Sequence, residues 1–236
     1  MNSLPVGFLF ISMMVLAAMC CGSADGQAVE ITAEPAHHLV FENEYVRVFD
    51  VKVAPGSATL LHQHRHDYVF LTLGETHVSN EVQGKEAVEL KLKDGDVRFV
   101  SGNFAHVARN LASTPFHNIA IELMQDEKLR GETSRWKDDS GGKTFAGGSR
   151  KTLFVKGGVR VSENDIDAGA TIAKHHHDGP HLLVALDEFE LKTEVDGQPT
   201  AITHFKPGDI RWVPGNTTHT VTNTSKQVAR LVAVEF

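Results

Sequence analysis

Fourteen of the 236 residues are histidine, and six of these form two similar groups along the chain. Each group is a His-x-His pair followed, further along, by a histidine that comes shortly after a Gly-Asn dipeptide. The members are His62, His64 and His106 in the first half, and His175, His177 and His219 in the second. Neutral imidazole is the commonest metal ligand in proteins, so this pattern predicts a divalent metal site in each half.

The geometry of a β-strand gives the His-x-His spacing its meaning. Side chains two residues apart on a strand point to the same face, about 7 Å apart at their roots, so His175 and His177 can share an ion only with a third ligand. His219 would be that ligand, because the glycine-containing turn before it lets the backbone bend and the ring aim inward. His176 lies between the pair and is expected to point to the opposite face.

The two histidine groups belong to a longer internal repeat. Residues 38–123 align without a gap with residues 151–236, at an offset of 113 positions. Identical residues fall on the histidines themselves and on the Gly-Asp, Gly-Asn and later Asn positions around them. We infer two copies of one domain, because chance would not place three histidines in register.

Each copy has the pattern of short β-strands. Residues 88–92 alternate strictly between apolar and polar, and residues 46–53 alternate in part. Turn dipeptides such as Pro-Gly and Gly-Asp separate these runs, and no segment after the N-terminal region keeps a helical period. The sequence therefore predicts an all-β protein built from sandwiches or small barrels.

The residues around the histidines resemble the motifs of the cupin superfamily. Its second motif, Gly-x5-Pro-x-Gly-x2-His-x3-Asn, is matched by residues 208–223 (GDIRWVPGNTTHTVTN) and 95–110 (GDVRFVSGNFAHVARN). The start of its first motif is matched by residues 56–64 and 169–177. The departures in the second motif are Asn at the second Gly in both copies and Ser for Pro in the first copy. This resemblance, which extends to quercetin-dioxygenase-like cupins, implies two tandem antiparallel jelly-roll barrels.

One departure from the cupin motif concerns a metal ligand. The glutamate that the family places after His-x-His is absent, and its position holds His181 in the second copy and Tyr68, or Val69 with the longer spacing, in the first. The second site can thus offer four histidines, and the first offers three with His66 as a candidate fourth. Loss of a carboxylate weakens the case for Mn(II) and favours Fe(II), Ni(II), Cu(II) or Zn(II), of which Fe(II) is our preferred cofactor.

The resemblance implies two classes of function. The first is a metal-dependent, dioxygenase-type oxidoreductase acting on an unidentified small molecule, with Tyr68, Glu122 and Glu235 as candidate catalytic acids or bases. Glu122 and Glu235 are equivalent in the repeat, although a glutamate at a strand end is often simply solvated. The alternative is a non-catalytic metal- or ligand-binding module, in which four histidines close around Zn(II). A homo-oligomer is compatible with both readings.

The N-terminal region predicts export. Residues 8–21 are an uncharged apolar run followed by small residues, which is typical of a signal peptide over residues 1–28 with cleavage after Ala24 or Ala28. No Lys or Arg precedes the run. A transmembrane anchor is the alternative, but the run is shorter than the roughly 20 residues that a spanning helix needs. The mature protein is then expected to be secreted or periplasmic, with no membrane segment.

Both cysteines of the chain lie within this N-terminal segment. A lipid anchor on Cys20 or Cys21 is a weaker alternative, because Met19 and Cys20 are poor residues to precede a lipidated cysteine. If the segment is removed, the mature protein has no disulfide and no thiolate to offer a metal.

The remaining chain divides into three parts. Residues 29–124 and 151–236 are predicted barrels, and residues 125–150 are a predicted exposed linker, rich in Gly, Ser and Lys, whose Trp136 could pack onto a neighbour. The formal net charge is −7, and no basic stripe is available to neutralise phosphates. Nucleic-acid binding is therefore not expected, and a small molecule is the expected partner.

Overall fold

The first half of the protein folds as ten short strands. The computed structural model describes residues 27–125, 136 and 141–236, so the predicted signal peptide lies almost entirely outside the described residues. The strands are β1 (Val29–Glu30), β2 (His37–Glu42), β3 (Val46–Val53), β4 (His62–His64), β5 (Tyr68–Leu73), β6 (Thr76–Val82), β7 (Val88–Leu92), β8 (Val97–Val100), β9 (Phe104–Asn110) and β10 (Phe116–Leu123). The first half also contains a 3-10 turn over Ile31–Ala33, and the described residues include no α-helix, as the strand pattern predicted.

The second half repeats this order after one additional strand. Its strands are β11 (Gly141–Phe145), β12 (Gly148–Lys156), β13 (Val159–Ile166), β14 (Thr171–His177), β15 (His181–Ala185), β16 (Phe189–Val195), β17 (Ala201–Phe205), β18 (Ile210–Val213), β19 (Thr217–Asn223) and β20 (Ala229–Glu235). Strands β3, β6 and β9 begin 113 residues before β13, β16 and β19 respectively. The repeat seen in the sequence is therefore a repeat of structure. Among the described residues, no helix has the length and apolar character needed to cross a membrane.

Each half consists of two sheets that face each other. The first half has the strand orders β1-β4-β9-β6-β7 and β2-β3-β10-β5-β8, and the second half has β11-β12-β13-β20-β15-β18 and β14-β19-β16-β17. Neighbouring strands are antiparallel except for the short parallel pair of β1 and β4. This is the predicted architecture of two antiparallel jelly-roll barrels.

The two barrels share one hydrophobic core. Buried side chains of the β2-β3-β10-β5-β8 sheet, such as Val69 and Ile121, form a single cluster with Leu182 and Val234 of the second barrel. Trp212 extends this cluster and lies between aromatic rings of both halves, among them Tyr45 at a centroid distance of 5.4 Å. One face of each of these sheets is thus used for packing between barrels, which leaves the other face to line the barrel interior.

The end of the predicted linker is part of the second barrel. Strand β11 pairs with β12 through a tight turn in which Gly147 has a φ of +87°, so residues 141–150 form a hairpin instead of an exposed connection. The Gly- and Lys-rich composition of this segment did not predict a hairpin. The strand β12 of the hairpin also pairs with β13, a contact that local composition does not show. Trp136 lies with its ring centroid 5.7 Å from the Arg160 guanidinium carbon, which agrees with its predicted packing on a neighbour.

The turn before each distal histidine explains the Asn that replaces the second motif glycine. Asn103 and Asn216 have φ values of 64° and 56°, a left-handed conformation that asparagine tolerates better than other side chains. The glycine before each of them is in close contact with another loop. A Cβ on Gly102 would lie 2.4 Å from the backbone of His66, and one on Gly215 would lie 2.8 Å from the carbonyl oxygen of Asp178.

A buried asparagine fixes the loops next to each site. Asn223 is fully buried, and its side-chain nitrogen lies 3.0, 3.2 and 2.8 Å from the carbonyl oxygens of Ile166, Asp167 and Gln227. We expect Asn223→Ala to lower the free energy of unfolding by about 2–4 kcal/mol, because buried carbonyls lose their donor. Urea denaturation of the two proteins would measure this difference.

A second asparagine of the same barrel provides the control for this substitution. Asn164 is half-buried, and its amide bonds Ser162, which lies two residues before it on the same strand. Asn164→Ala should therefore cost less than about 1 kcal/mol. Equal losses in the two variants would contradict a special role for Asn223.

Candidate metal centres

The three predicted histidines of the first barrel lie together in its interior. His62 and His64 come from β4, and His106 from β9 lies directly opposite His62 in the strand register. The ring centroids are 4.5 Å apart for His62 and His106, 5.1 Å for His62 and His64, and 5.2 Å for His64 and His106. All three side chains are buried.

The hydrogen bonds of these rings leave lone pairs for a metal. His62 donates from Nδ1 to the carbonyl oxygen of Leu60 at 2.9 Å, and His106 donates from Nδ1 to the Oδ1 atom of Asn80 at 2.5 Å. Their Nε2 atoms, and Nδ1 of His64, are buried without a hydrogen-bond partner. Buried nitrogens without a partner are costly unless a ligand satisfies them, so the residues fit a metal ion.

A fourth histidine near this site was missed by the sequence reasoning. His37, the first residue of β2, has its ring centroid 4.6 Å from that of His62. One ring nitrogen from each of His37, His62 and His64 lies within 4.8 Å of the others. His37 lies just outside the aligned repeat and in no recognisable motif, so no sequence signal pointed to it. His66, the candidate fourth ligand, is not among the residues lining this cavity.

The second barrel brings its own three predicted histidines together. His175 and His177 come from β14, and His219 from β19 lies opposite His175. One ring nitrogen from each lies within 4.8 Å of the others, and the Nε2 atoms of His175 and His219 are 3.1 Å apart. Two imidazoles that bind one ion at about 2.1 Å and at a right angle have nitrogens about 3.0 Å apart, so this spacing fits a shared ion.

His181 lines the same cavity next to this group of three, but its ring nitrogens are not part of the group within 4.8 Å. It begins β15, is 3% exposed, and has its ring centroid 4.3 Å from that of His177. Its Nδ1 atom is buried without a hydrogen-bond partner. By contrast, the His176 side chain is exposed and bonds Thr218 at 2.8 Å. The predicted strand phase is therefore confirmed.

Tyr68 takes the corresponding position in the first barrel. Its ring stacks on His64 with a centroid distance of 4.1 Å and an interplanar angle of 13°. Burial raises the pKa of the Tyr68 phenol above its ordinary value, and the negative charge of Glu122 adds to this effect. Tyr68 is therefore a neutral phenol that packs against a candidate ligand.

The two equivalent glutamates have different surroundings. Glu122 is 1% exposed, and its Oε1 atom has no hydrogen-bond partner and lies 3.8 Å from Nδ1 of His64. Burial raises the pKa of Glu122 to about 7, against the opposing charge of Arg47. Glu235 lines the second cavity, where Arg160 binds both of its oxygens at 2.6 and 2.5 Å. The second barrel thus holds a paired carboxylate, and the first holds a carboxylate with one unsatisfied oxygen.

The arrangement of strands is similar to that of several solved proteins. An oxalate decarboxylase of Bacillus subtilis, described with Mn(II) centres, matches with a TM-score of 0.59 at 10% identity, over 82% of this chain and 69% of its own. The formate complex of Lactobacillus farciminis oxalate decarboxylase matches with a TM-score of 0.61 at 13% identity, over 84% and 83%. AerE from Microcystis aeruginosa matches with a TM-score of 0.58 at 13% identity, over 86% and 97%.

These neighbours are two-domain cupins. The chain has the two-domain cupin fold. No protein-family profile matches the sequence, and no curated protein matches it. The likeness at this level of identity establishes the cupin fold alone, and the chemistry has to be argued from the residues in each cavity.

Burial keeps five histidines of the two cavities neutral. Desolvation lowers the pKa of His177, His181 and His219 to about 4, and neighbouring histidines add to the effect. In the first barrel, desolvation lowers the pKa of His62 to about 4 and that of His106 to about 3. Neutral imidazole is the form that binds metal, so both sites are ready for a cation at neutral pH.

The two cupin cavities differ in size. The second has a volume of about 330 Å³ and the first about 160 Å³. Apolar side chains such as Leu183, Leu191 and Phe205 line much of the second, and Arg211 lies among them. The positive charge of Arg211 adds slightly to the lowering of the His219 pKa, after the effects of burial and of neighbouring histidines. The second cavity therefore has room for a small molecule beside the histidines.

Proposed function

We propose that the protein is a metal-dependent oxidoreductase of the dioxygenase type that acts on a small molecule in the second barrel. The observation that carries this proposal is the convergence of His175, His177 and His219, with His181 beside them in the same cavity. Four imidazoles around a six-coordinate ion leave two positions for substrate and a further ligand. The cavity volume of about 330 Å³ also lies within the range of roughly 300–1,000 Å³ that is typical of small-molecule sites.

Iron(II) is the ion that we favour, with Ni, Cu, Zn and Mn as alternatives. The first-motif carboxylate is replaced by imidazole in the second barrel. An all-nitrogen donor set favours iron, nickel, copper or zinc over Mn(II), which is therefore the weakest alternative. A bound ion of this kind would supply redox chemistry and would polarise a substrate oxygen.

The protein's own residues have separate tasks in this proposal. The Ala173 carbonyl oxygen accepts a hydrogen bond from Nδ1 of His175 at 2.9 Å, which directs Nε2 into the cavity. The apolar wall excludes water from the substrate. Glu235, fixed by Arg160, is the group that we assign to accept a proton from the substrate in the second cavity.

The first barrel supports a second candidate function. Its cavity of about 160 Å³ is smaller than the usual range of about 300–1,000 Å³ for ligand sites, and its histidines are almost fully buried. We propose a non-catalytic metal site there, in which Tyr68 and Glu122 support the histidines and do not act on a substrate. A site closed by protein ligands would stabilise the fold.

We also propose that the mature protein is exported. The support is the apolar run of residues 8–21 with the small residues after it, and the mature chain would begin after Ala24 or Ala28. In that form it would carry both barrels and no cysteine.

Metal content and oxygen consumption test the proposed function together. The purified mature protein should carry one metal ion in each barrel, and His175→Ala combined with His177→Ala should lower the content by about one ion per chain. Loading with Fe(II) should restore oxygen uptake in the presence of a substrate from a panel of small carboxylic and phenolic compounds. The double variant should abolish that uptake.

Lys174→Ala is the matched control for this experiment. Lys174 is the exposed neighbour of His175 and forms a surface ion pair with Asp196 at 2.6 Å. Its removal should leave the metal content unchanged. Metal binding without oxygen uptake under any loading would contradict the oxidoreductase and favour the non-catalytic module.

A further inference from the structure

An arginine occupies the same position in both barrels and lines both cavities. Arg98 of β8 and Arg211 of β18 are 113 residues apart, at the fourth position of the second cupin motif in each copy. Each lines the cavity that contains the histidines of its own barrel. Neither was among the candidate site residues, because the motif carries no requirement at this position.

The strand alternation shows which face Arg211 belongs to. Trp212, the next residue along β18, packs in the core between the barrels. Arg211 and Val213 therefore share the opposite face, which lines the cavity. The residue paired with Arg211 on β15 is Leu183, which also lines the cavity. The guanidinium group thus belongs to the same wall as the apolar side chains of Leu183 and Val213.

This guanidinium group has no carboxylate partner within the described part of the chain. Its Nη1 atom donates a hydrogen bond to the Thr203 hydroxyl at 2.6 Å, and no acidic side chain lies within ion-pair distance. Glu235 lines the same cavity but is held by Arg160.

A half-buried cation beside an apolar wall is stabilised when an anion binds to it. The planar guanidinium group binds a carboxylate through two parallel hydrogen bonds, which a lysine cannot reproduce. The apolar side chains around it, Leu191 and Phe205 among them, would accept the hydrocarbon part of the same molecule.

We propose that Arg211 binds the carboxylate of an anionic substrate with an apolar body in the second cavity. This inference rests on the proposed function, because it takes the molecule bound in the second cavity to be the substrate. It adds the substrate class and names the residue that selects it. The smaller first cavity, where Arg98 is exposed, is not part of the proposal.

Benzoate and benzamide are suitable probes, because they have nearly the same shape and differ in charge. Isothermal titration of the full mature protein, both metal-free and loaded with redox-inert Zn(II), should show benzoate binding at least about tenfold more tightly than benzamide. Arg211→Leu should remove this preference in both forms. Arg211→Lys should retain part of it, because the charge remains without the planar fork.

Arg98→Leu is the matched control and should leave benzoate binding unchanged. A loss with Arg98→Leu as large as with Arg211→Leu would overturn the assignment, and so would equal affinity of the wild-type protein for benzoate and benzamide. Thermal melts of each variant establish that it is folded, and Arg211→Lys keeps the test decisive if Arg211→Leu does not fold.

Metal content measured on the same samples separates this inference from the proposed function. Benzoate selectivity that depends on Arg211 in a protein that binds no metal would support the inference and contradict the metal enzyme. Metal binding with no preference for benzoate over benzamide would overturn the inference and would remain consistent with the proposed metal enzyme.

Discussion

Removal of metal by a chelator at neutral pH should lower the melting temperature of the wild-type protein by about 5–10 °C. Metal that binds only the native state adds about 2.7 kcal/mol when its free concentration is a hundredfold above its dissociation constant. For a chain of this length, 1 kcal/mol corresponds to roughly 2–4 °C. His219→Ala should abolish the part of this difference that the second site contributes, because the variant loses the ligand whose Nε2 atom lies 3.1 Å from that of His175. Calorimetric melts with and without chelator measure the effect.

His176→Ala provides the control within the same strand. His176 is exposed, and its ring bonds Thr218 and lies near Asp178, away from the cavity. Its removal should leave the difference in melting temperature between the chelator-treated and the metal-loaded protein unchanged. If His176→Ala loses the metal effect as fully as His219→Ala does, the assignment of ligands to one face of β14 is wrong.

Acidification of the metal-free protein from pH 7.5 to pH 5 should destabilise it by several kcal/mol. Burial lowers the folded-state pKa of five buried histidines to about 4 or below, whereas the unfolded chain has a pKa near 6.5 for each of them. The five are His62, His64, His106, His181 and His219. As the pH falls from about 6.5 to about 4, the unfolded chain binds protons that the folded protein does not. The free energy of unfolding therefore falls over this interval and is fully retained above it.

Each buried histidine should contribute on the order of 1–2 kcal/mol to this loss at pH 5. Glu122 opposes the effect, because its pKa of about 7 lets the folded state take up a proton before the unfolded chain does. One carboxyl group cannot offset five imidazoles, so the net change remains a loss. Urea denaturation in the presence of chelator at several pH values between 7.5 and 5 measures it.

Two substitutions make the acid prediction specific. His181→Leu should reduce the number of protons taken up on unfolding by about one, because it removes one buried titrating group. The free energy of unfolding should then fall less steeply with decreasing pH. His204→Ala should leave the dependence nearly unchanged, since His204 lies on the surface beside Glu188. A stability that does not vary between pH 7.5 and 5 would show that the histidines are not buried in the neutral form.

The two cupin barrels differ in ways that suit separate roles. In the second, His181 replaces the motif glutamate and the cavity is the larger. In the first, Tyr68 occupies that position and stacks on His64, and the cavity is about half as large. The nearby Glu122 has an unsatisfied oxygen, whereas Glu235 is neutralised by Arg160. We therefore place the chemistry in the second barrel and a stabilising metal site in the first.

The internal repeat and the histidine spacing were enough to predict the two barrels and the core of each histidine group. Spacing along one strand decides which side chains share a face, so His62 with His64 and His175 with His177 could be assigned from local geometry. The exact repeat offset then identified the third histidine of each group without knowledge of strand pairing. Export stays a prediction, because the residues that carry it lie outside the described part of the chain.

The surroundings of these histidines could not be predicted, because they depend on contacts between distant parts of the chain. His37 of β2 approaches His62 of β4 across the two sheets of the first barrel, and Tyr68 lies opposite Glu122 because β5 pairs with β10. Arg211 lines the cavity because the inter-barrel core takes the other face of β18. Each of these contacts joins residues that are distant in sequence, and strand pairing and sheet packing, which local spacing does not encode, set their positions.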